Sequence, residues 1–306
     1  DDGILLNLGI VYRKKEWHKT PYAWEQSIVG TLATATGSAG VAYNGIFKQA
    51  IGMWDIELAA DYRAPKYVLN FYGFGNETRI NGNDIDYFRV RSSGFSFSPA
   101  VSRTKKNSYI STGLIAQSVR IQHADNKYVA EPGILDSSVF VHKYFGGAMV
   151  SYRYISNAKK ISSAGYFGFG AGVRYLTNLK ELERDHVKLE GYVKFNLPLI
   201  KKILSIAHRA GAATNFGDYE FYQANAIGGH DYLRGYWRTR FTGRSSFYQN
   251  TELRVMIANL GGYILRGTLG VYGFFDDGRV WFDHERSDKI HTGYGGGIVF
   301  VPYNKI

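Results

Sequence analysis

The sequence predicts an all-β protein, a transmembrane antiparallel up-and-down β-barrel. Long segments alternate apolar and polar residues with a period of two, which is typical of strands with two different faces. Strands of soluble proteins have about 5–6 residues, whereas a tilted strand needs about 9–11 residues to cross a bilayer. The alternating segments of this sequence are long enough to cross a bilayer. Tyrosine and tryptophan lie near many segment ends, as expected at a membrane interface.

About thirteen segments show this alternation, and each is predicted to be one strand. In the fourth, Trp54 and Ile56 share one face while Asp55 and Glu57 share the other. An apolar face against lipid and a polar face towards the lumen produce this pattern. The predicted strands lie near residues 3–13, 23–34, 39–50, 53–64, 84–102, 107–123, 137–154, 164–177, 186–197, 202–216, 246–258, 267–281 and 291–301.

Two alternatives remain open on the pattern alone. A large soluble barrel or sandwich also alternates, although its apolar face would be a core with less tyrosine and tryptophan at the strand ends. Residues 179–190 could form a helix with Leu179, Leu182 and Leu189 on one side. Because the alternation continues unbroken to Leu197, we favour a loop that leads into a strand.

The composition excludes several classes of protein. The 306 residues include no cysteine, which excludes a disulfide-stapled fold, and an aromatic content of 16% argues against disorder. The longest charge-free window, residues 26–47, contains four glycines and is a poor transmembrane helix. The formal net charge of +11 would suit either nucleic acid or an anionic membrane surface.

The connections between the strands predict which end of the barrel faces outward. In an up-and-down barrel, odd-numbered connections lie at one rim and even-numbered connections at the other. The three longest, near 65–83, 124–136 and 217–245, all belong to the even set. Because long loops face outward and short turns face the periplasm in bacterial barrels, the odd rim is predicted to be periplasmic.

Lysine is concentrated at this predicted periplasmic rim, where Glu16 is the only acidic residue. The positive charge would then meet anionic lipid head groups, and no nucleic-acid partner is expected. The alternative is that lysine in turns simply keeps the protein from aggregating. The four lysine pairs of this basic periplasmic rim are Lys14 and Lys15, Lys105 and Lys106, Lys159 and Lys160, and Lys201 and Lys202.

The strand number predicts that residues 1–306 are most of one outer-membrane barrel domain. Bacterial single-chain barrels have an even number of strands, and an open sheet edge in lipid is costly. We therefore expect about one further strand before Asp1 and about two after Ile306, roughly sixteen in the full protein.

Nothing in the sequence predicts an enzyme. It has no HExxH motif, no GxSxG motif and no P-loop, and the histidines are scattered. Residues 81–86 lack the spaced carboxylates of a calcium loop. The glycine-rich runs at 165–172 and 293–297 lie in predicted strands, where glycine permits curvature. We expect no catalytic residue, metal or cofactor.

Two neighbouring predicted strands place carboxylates on the same side of the sheet. Period two puts Glu252 on one face with Asn250 and Arg254, and puts Asp276 on one face with Phe274. If these faces line the lumen, the two carboxylates point inward together and favour a cation. A guanidinium group suits them because its planar fork binds carboxylates in a bidentate manner.

The long connection that precedes these strands could supply the cation. The segment 217–245 is long enough to fold back, and Gly235 allows a tight turn beside Arg234. The alternative is an exposed loop whose arginine meets only solvent.

The same residues resemble a family, the BamA/TamA superfamily of sixteen-stranded outer-membrane insertases and two-partner secretion transporters. Its (V/L)RG(F/Y) motif in the sixth extracellular loop is matched by Leu233, Arg234, Gly235 and Tyr236. An N-x-E-x-R-like stretch in the next strand is matched by Asn250, Glu252 and Arg254. An F-x-D-x-G stretch in the following strand is matched by Phe274, Asp276 and Gly278. The opening DDGILLNLGIVYR and the phrase FYGFGNET at 71–78 look like the subfamily common in Bacteroidota.

The resemblance implies an outer-membrane protein that takes part in the insertion or translocation of other polypeptides. It implies that the loop arginine is held by the lumen carboxylates and that a weak seam between the first and last strands opens laterally. Implied partners are outer-membrane lipids including lipopolysaccharide, unfolded or secreted clients, and accessory periplasmic or lipoprotein subunits. A second implied function is an anchor or self-translocator for a fused phosphoesterase-like or patatin-like enzyme domain, and a passive porin is a third possibility.

Overall fold

The described part of the chain forms one antiparallel sheet of thirteen strands, each paired with the next in an up-and-down order. The structure is a computed structural model and describes residues 4–80, 82, 84–156, 165–181, 184–262 and 266–302. A second sheet of two short strands, β11 and β12, lies within one connection. The strands are β1 (Leu5–Glu16), β2 (Lys19–Ala33), β3 (Ser38–Ile51), β4 (Trp54–Asn70), β5 (Arg89–Lys105), β6 (Ser108–Ile121), β7 (Lys143–Ile155), β8 (Tyr166–Asn178), β9 (Asp185–Ile200), β10 (Leu204–Gly217), β11 (Asn225–Ile227), β12 (Phe241–Gly243), β13 (Ser245–Gly261), β14 (Arg266–Trp281) and β15 (His291–Pro302).

The two faces of the sheet have opposite polarity, with the apolar face outside. Large apolar residues such as Leu189, Val193 and Leu253 are exposed on the outer face. On the inner face, Asp276 and Asn215 are fully buried. A soluble barrel would bury its apolar face, whereas an apolar exterior around a polar interior is stable in lipid. The predicted fold class, a transmembrane up-and-down barrel, is confirmed.

Most strand positions agree with the sequence prediction, but two predicted starts are wrong, and β4 continues to Asn70 beyond its predicted end at residue 64. Residues 85–88 and 137–140 are short 3-10 helices, so β5 begins at Arg89 and β7 at Lys143. The carboxylates of Asp84 and Asp136 each accept a hydrogen bond from the backbone N–H two residues later, which favours a turn over a strand. The segment 184–190 is strand from Asp185 onward, so its prediction as a loop leading into a strand is confirmed.

The three longest connections lie at one rim, as predicted, and form a hydrophobic core of their own. These connections are residues 71–88, 122–142 and 218–244, and together we call them the outer cap. Phe71, Val129 and Phe221, one from each connection, are buried in this core together with apolar residues at the ends of β5 and β6. The core joins the connections across the mouth of the sheet, so the mouth is covered rather than open.

The sheet has two edges, β1 and β15, which do not pair with each other among the described residues. Arg209 of β10 lies opposite Asn250 of β13, so residues 218–244 leave and re-enter the sheet on neighbouring strands. No helix in the described ranges is long and apolar enough to span a membrane.

Candidate functional site

Residues 218–244, which we call the inward loop, fold back against the inner face of the sheet. Strand β11 pairs with β12 inside this loop, with Ile227 opposite Phe241. The side chain of Leu233 is fully buried in one apolar cluster with both of these residues and with Val280 of β14. The Leu233 N–H donates to the Gly229 carbonyl oxygen at 3.0 Å, which closes the turn before the arginine.

Arg234 projects from this turn and lies between two carboxylates on neighbouring strands. Its Nε donates to Asp276 Oδ2 and its Nη2 to Asp276 Oδ1, both at 2.6 Å, and its backbone N–H also donates to Oδ2 at 3.1 Å. Its Nη1 donates to Glu252 Oε1. The contact with Asp276 is the bidentate geometry in which arginine binds carboxylates most strongly.

The charges around Arg234 balance, and most of them are shielded from solvent. The Asp276 side chain is 0% exposed and the Arg234 side chain 16%. Arg254 donates from Nε to the second oxygen of Glu252 at 2.9 Å, which gives two guanidinium groups and two carboxylates. The Phe274 ring lies 3.8 Å from the guanidinium carbon of Arg234 and excludes water from one side. We call Arg234, Arg254, Glu252 and Asp276 the Arg234 cluster.

The residues next to Arg234 allow the inward loop to lie directly against the inner face of the sheet. Gly235 has a φ of +90°, a conformation that a residue with a side chain adopts at a cost. A side chain at Gly293 of β15 would collide with the Arg234 carbonyl oxygen, so the loop backbone lies directly against this strand. The Tyr236 ring packs against Phe241 and His291 at centroid distances of 5.3 and 5.8 Å.

The structure places the remaining motif residues of β13 and β14 on the same face. Asn250 donates from Nδ2 to the Tyr232 carbonyl oxygen at 2.9 Å and so supports the loop turn. A Cβ on Gly278 would lie 2.7 Å from the Phe247 carbonyl oxygen and 3.1 Å from Ile227 Cδ1, so only glycine fits beneath the loop. The two matched stretches and the loop motif are therefore parts of one contact surface.

A second buried polar group, around Asn76, was not predicted as a site. Asn76 Nδ2 donates to the Val280 carbonyl oxygen at 2.6 Å, and Asn76 Oδ1 accepts from the Val280 N–H at 3.0 Å. The Asn76 N–H donates to Glu285 Oε1 at 2.7 Å, and Gly75 has a φ of +96°. An asparagine directly after the second glycine of the aromatic run FYGFGNET is the signal that could have found it.

Polar contacts also hold the outer cap together. The Tyr87 hydroxyl donates to Glu131, and this hydrogen bond raises the pKa of Tyr87 to about 12. The ammonium group of Lys127 donates to the Asp86 carbonyl oxygen at 2.7 Å and to the Asp86 carboxylate, which lowers the pKa of Asp86. These bonds join the connections 71–88 and 122–142. On the inward loop, Arg240 Nη1 donates to Thr78 Oγ1 at 2.6 Å.

The described rim lysines lie at the rim opposite the outer cap and are exposed. Lys14 and Lys15 are at the end of β1, Lys105 and Lys106 are at the β5–β6 turn, and Lys201 and Lys202 are at the β9–β10 turn. Lys14 Nζ lies 3.6 Å from Glu16 Oε1. Lys159 and Lys160 fall outside the described residues. The role of this rim in lipid binding stays a prediction.

Replacing the four lysine pairs with glutamine should weaken docking onto anionic vesicles. Each lysine near an anionic surface contributes up to about 1 kcal/mol, and the attraction is screened by salt. Flotation with anionic and with zwitterionic vesicles, at low and at high salt, measures the difference. Equal recovery of the variant and the unchanged protein on anionic vesicles at low salt would contradict a lipid-binding rim.

In the described residues, no group of three or more histidine, aspartate or glutamate side chains could hold a metal ion.

Fold and site together define a transmembrane β-barrel whose lumen holds an inward loop through a charge-balanced cluster. The sequence matches no protein-family model. No curated protein matches it either.

Solved structures of outer-membrane barrels share the fold at low sequence identity. The crystal structure of BamA from Haemophilus ducreyi lacking POTRA domains 1–3 has a TM-score of 0.63 and 12% identity, over 100% of this chain and 67% of that chain. CdiB from Escherichia coli has a TM-score of 0.62 and 13% identity, over 97% and 53%. CdiB from Acinetobacter baumannii has a TM-score of 0.59 and 11% identity, over 98% and 51%. The chain has a BamA-like outer-membrane β-barrel fold and spans about half the length of the CdiB proteins.

Proposed function

We propose that the protein takes part in the insertion or translocation of polypeptides at the outer membrane. The observation that carries this proposal is the Arg234 cluster, in which an arginine of the inward loop binds carboxylates of β13 and β14. The sequence motifs at these positions resemble those of the BamA/TamA superfamily. The fold shared with BamA and CdiB structures gives independent support.

The cluster would act as a positioning device for the lumen wall. Its groups come from the inward loop, β13 and β14, and the loop backbone lies against β15. Separating ion pairs that are largely removed from water is costly, so the loop and these three strands are held as one unit. A lumen wall that is held rigid in this way would support a client strand that inserts next to it. The inward loop would occupy the lumen and so keep the client from passing through it.

The proposed partners follow from this role. Unfolded or secreted polypeptides would be the clients, and accessory periplasmic or lipoprotein subunits would deliver them. Outer-membrane lipids, including lipopolysaccharide, would surround the apolar outer face as in other outer-membrane barrels. The protein would be a multi-pass β-barrel of the cell outer membrane without catalytic residues of its own.

Reconstitution of the full-length protein into liposomes tests the proposal. A urea-unfolded outer-membrane barrel is added as the client, and its folding is followed by protease protection and heat-modifiable migration. We expect folding to be faster than with empty liposomes, and slower with Asp276→Asn than with the unchanged protein, because this substitution removes one charge from the cluster.

Arg238→Ala, which removes an exposed arginine from the same loop, is the matched control and should leave the rate unchanged. If the correctly folded protein accelerates folding no more than empty liposomes do, the insertase proposal is wrong. The anchor function would then be the alternative to pursue.

A further inference from the structure

Two arginines lie on the outer face of the sheet, at the rim that carries the outer cap. Arg91 is near the start of β5 and Arg120 is near the end of β6, and both residues are exposed. The residue next to each of them along the strand, Val90 and Ile121, is buried in the core of the outer cap. Because side chains alternate along a strand, Arg91 and Arg120 point away from this core and towards the lipid.

The strand register makes the two arginines neighbours. The Gln122 N–H donates to the Arg91 carbonyl oxygen at 2.8 Å, and Arg120 is opposite Ser93. Arg91 and Arg120 are thus diagonal neighbours on adjacent strands, a relation with a spacing of about 7–8 Å that long side chains can span. Both guanidinium groups can therefore reach one head group.

Neither arginine is neutralised by the protein. No ion pair and no side-chain hydrogen bond within the described ranges includes Arg91 or Arg120. On its other side Arg91 is opposite Val68 of β4, which has no charge. Another arginine at this rim does have an acid, since Arg244 Nε donates to Asp283 Oδ1 at 2.8 Å. The two outward arginines remain without a counter-charge.

A cavity of about 350 Å³ lies beside Arg91, at the outer ends of β5 and β6. Arg89, Arg91 and Lys127 line it, and Asp86 is the only carboxylate in the lining. Lys127 donates to the Asp86 carbonyl oxygen at 2.7 Å and to its carboxylate, and Arg89 Nη1 lies 3.9 Å from Asp86 Oδ1. One negative charge is thus shared by two cations, and the lining keeps an excess of positive charge.

The outer face further along the same strands is apolar. Phe97 lies six residues from Arg91 on β5, and Leu114 lies six residues from Arg120 on β6, which is about 20 Å at about 3.3 Å per residue. Both side chains are exposed, as is Tyr62 of β4. Two cations at the rim above an apolar face are complementary to an amphiphile with a phosphate in its head group and acyl chains below.

We propose that this surface binds a phosphorylated glycolipid of the outer leaflet, the lipid A part of lipopolysaccharide. Arg91 and Arg120 bind its phosphate, which accepts bidentate hydrogen bonds from a guanidinium group. The sugar that bears the phosphate occupies the cavity beside Arg91, and the acyl chains lie along Phe97 and Leu114. The inference rests on the proposed outer-membrane location, with the outer cap on the outside.

The bound glycolipid would support the outer cap from its lipid side. The cavity is formed by two of the three long connections, because Asp86 belongs to residues 71–88 and Lys127 to residues 122–142. A glycerophospholipid has no sugar to occupy this cavity, so it would bind through its phosphate alone. The preference for a glycolipid therefore comes from the cavity, and the attraction of the head group comes from the arginines.

Titration of the full-length protein in detergent micelles with phosphorylated lipid A, followed by microscale thermophoresis, tests this proposal. We expect saturable binding, and binding about tenfold weaker or more for dephosphorylated lipid A with the same acyl chains. The double substitution Arg91→Gln with Arg120→Gln should weaken the binding of phosphorylated lipid A about tenfold or more, because charge-assisted hydrogen bonds to the phosphate are lost.

The matched control is Arg238→Gln with Arg286→Gln, which removes the same charge from two exposed arginines of other outer connections and should leave binding unchanged. Phosphatidylglycerol and inorganic phosphate are added as competitors, and neither should displace lipid A at equal concentration. Heat-modifiable migration verifies that each variant is folded. If the double variant is not folded, the two forms of lipid A on the unchanged protein decide.

Three results would overturn the proposal: equal binding of the two forms of lipid A, displacement by either competitor, or unchanged binding in the folded double variant. The test is separate from that of the insertase function. A protein that accelerates client folding but binds both forms of lipid A equally would contradict only the glycolipid site. A protein that binds phosphorylated lipid A as expected but does not accelerate folding would contradict only the insertase proposal.

Discussion

Replacing Arg234 with alanine should release the inward loop from the lumen wall. The substitution leaves Asp276, which is 0% exposed, without its bidentate partner, and Glu252 with Arg254 alone. Breaking a buried ion pair by removing one partner costs about 3–5 kcal/mol. We expect a local loss of stability of this size within the loop, while the strand ladders of the barrel remain paired.

Hydrogen exchange and limited proteolysis of residues 218–244 measure this release. In the variant, the loop amides should exchange faster and the loop should become cleavable, whereas heat-modifiable migration should still show a folded barrel. Arg238→Ala on the same loop is the matched control, since Arg238 is exposed. A loop equally protected in both variants would mean that the cluster does not hold it.

A double-mutant cycle separates the ion pair from other effects of the substitution. In an Asp276→Asn background the carboxylate is no longer charged, so Arg234→Ala should cost clearly less than it does alone. Equal costs in the two backgrounds would show that Arg234 contributes through Glu252 and through packing against Phe274, and not through the charge of Asp276.

Replacing Phe71 with alanine should loosen the whole outer cap. Phe71 is 1% exposed, and its ring contacts Phe74, Tyr128 and Phe221 at centroid distances of 5.1, 6.1 and 4.9 Å. Truncating a buried phenylalanine costs about 3–5 kcal/mol, because apolar contacts are lost and a cavity remains. All three long connections share this core, so the effect should reach residues 122–142 and 218–244 as well.

Hydrogen exchange across the three connections and single-channel conductance measure this loosening. We expect faster exchange in all three and more frequent open events, because the cap covers the mouth of the sheet. Phe95→Ala, which truncates an exposed phenylalanine on the outer face of β5, is the control. If exchange changes only within residues 71–88, the cap is not one cooperative unit.

The strands could be predicted from the sequence because their signal is local. A strand between lipid and a polar lumen alternates residue by residue, so Leu189 and Val193 identify their face without knowledge of any neighbour. The starts of β5 and β7 were missed because the carboxylates of Asp84 and Asp136 cap short helical turns. Each aspartate accepts a hydrogen bond from the backbone N–H two residues later. The same short sequence can form either a strand or a turn, so the sequence alone does not show which one occurs.

The sequence by itself determined the barrel class, the rim on which the long connections lie, and the motif residues from Leu233 to Gly278. Apart from the contact of Arg234 with Glu252 and Asp276, only the tertiary structure decided which distant groups meet. Asn76 and Val280 are 204 residues apart and pair because the outer cap brings them together. A cavity lined by Arg209 of β10 and by Tyr232 of the inward loop likewise exists only because the loop lies over the sheet. Alternation depends on the solvent at each face of a strand, whereas these contacts depend on how the connections fold over one another.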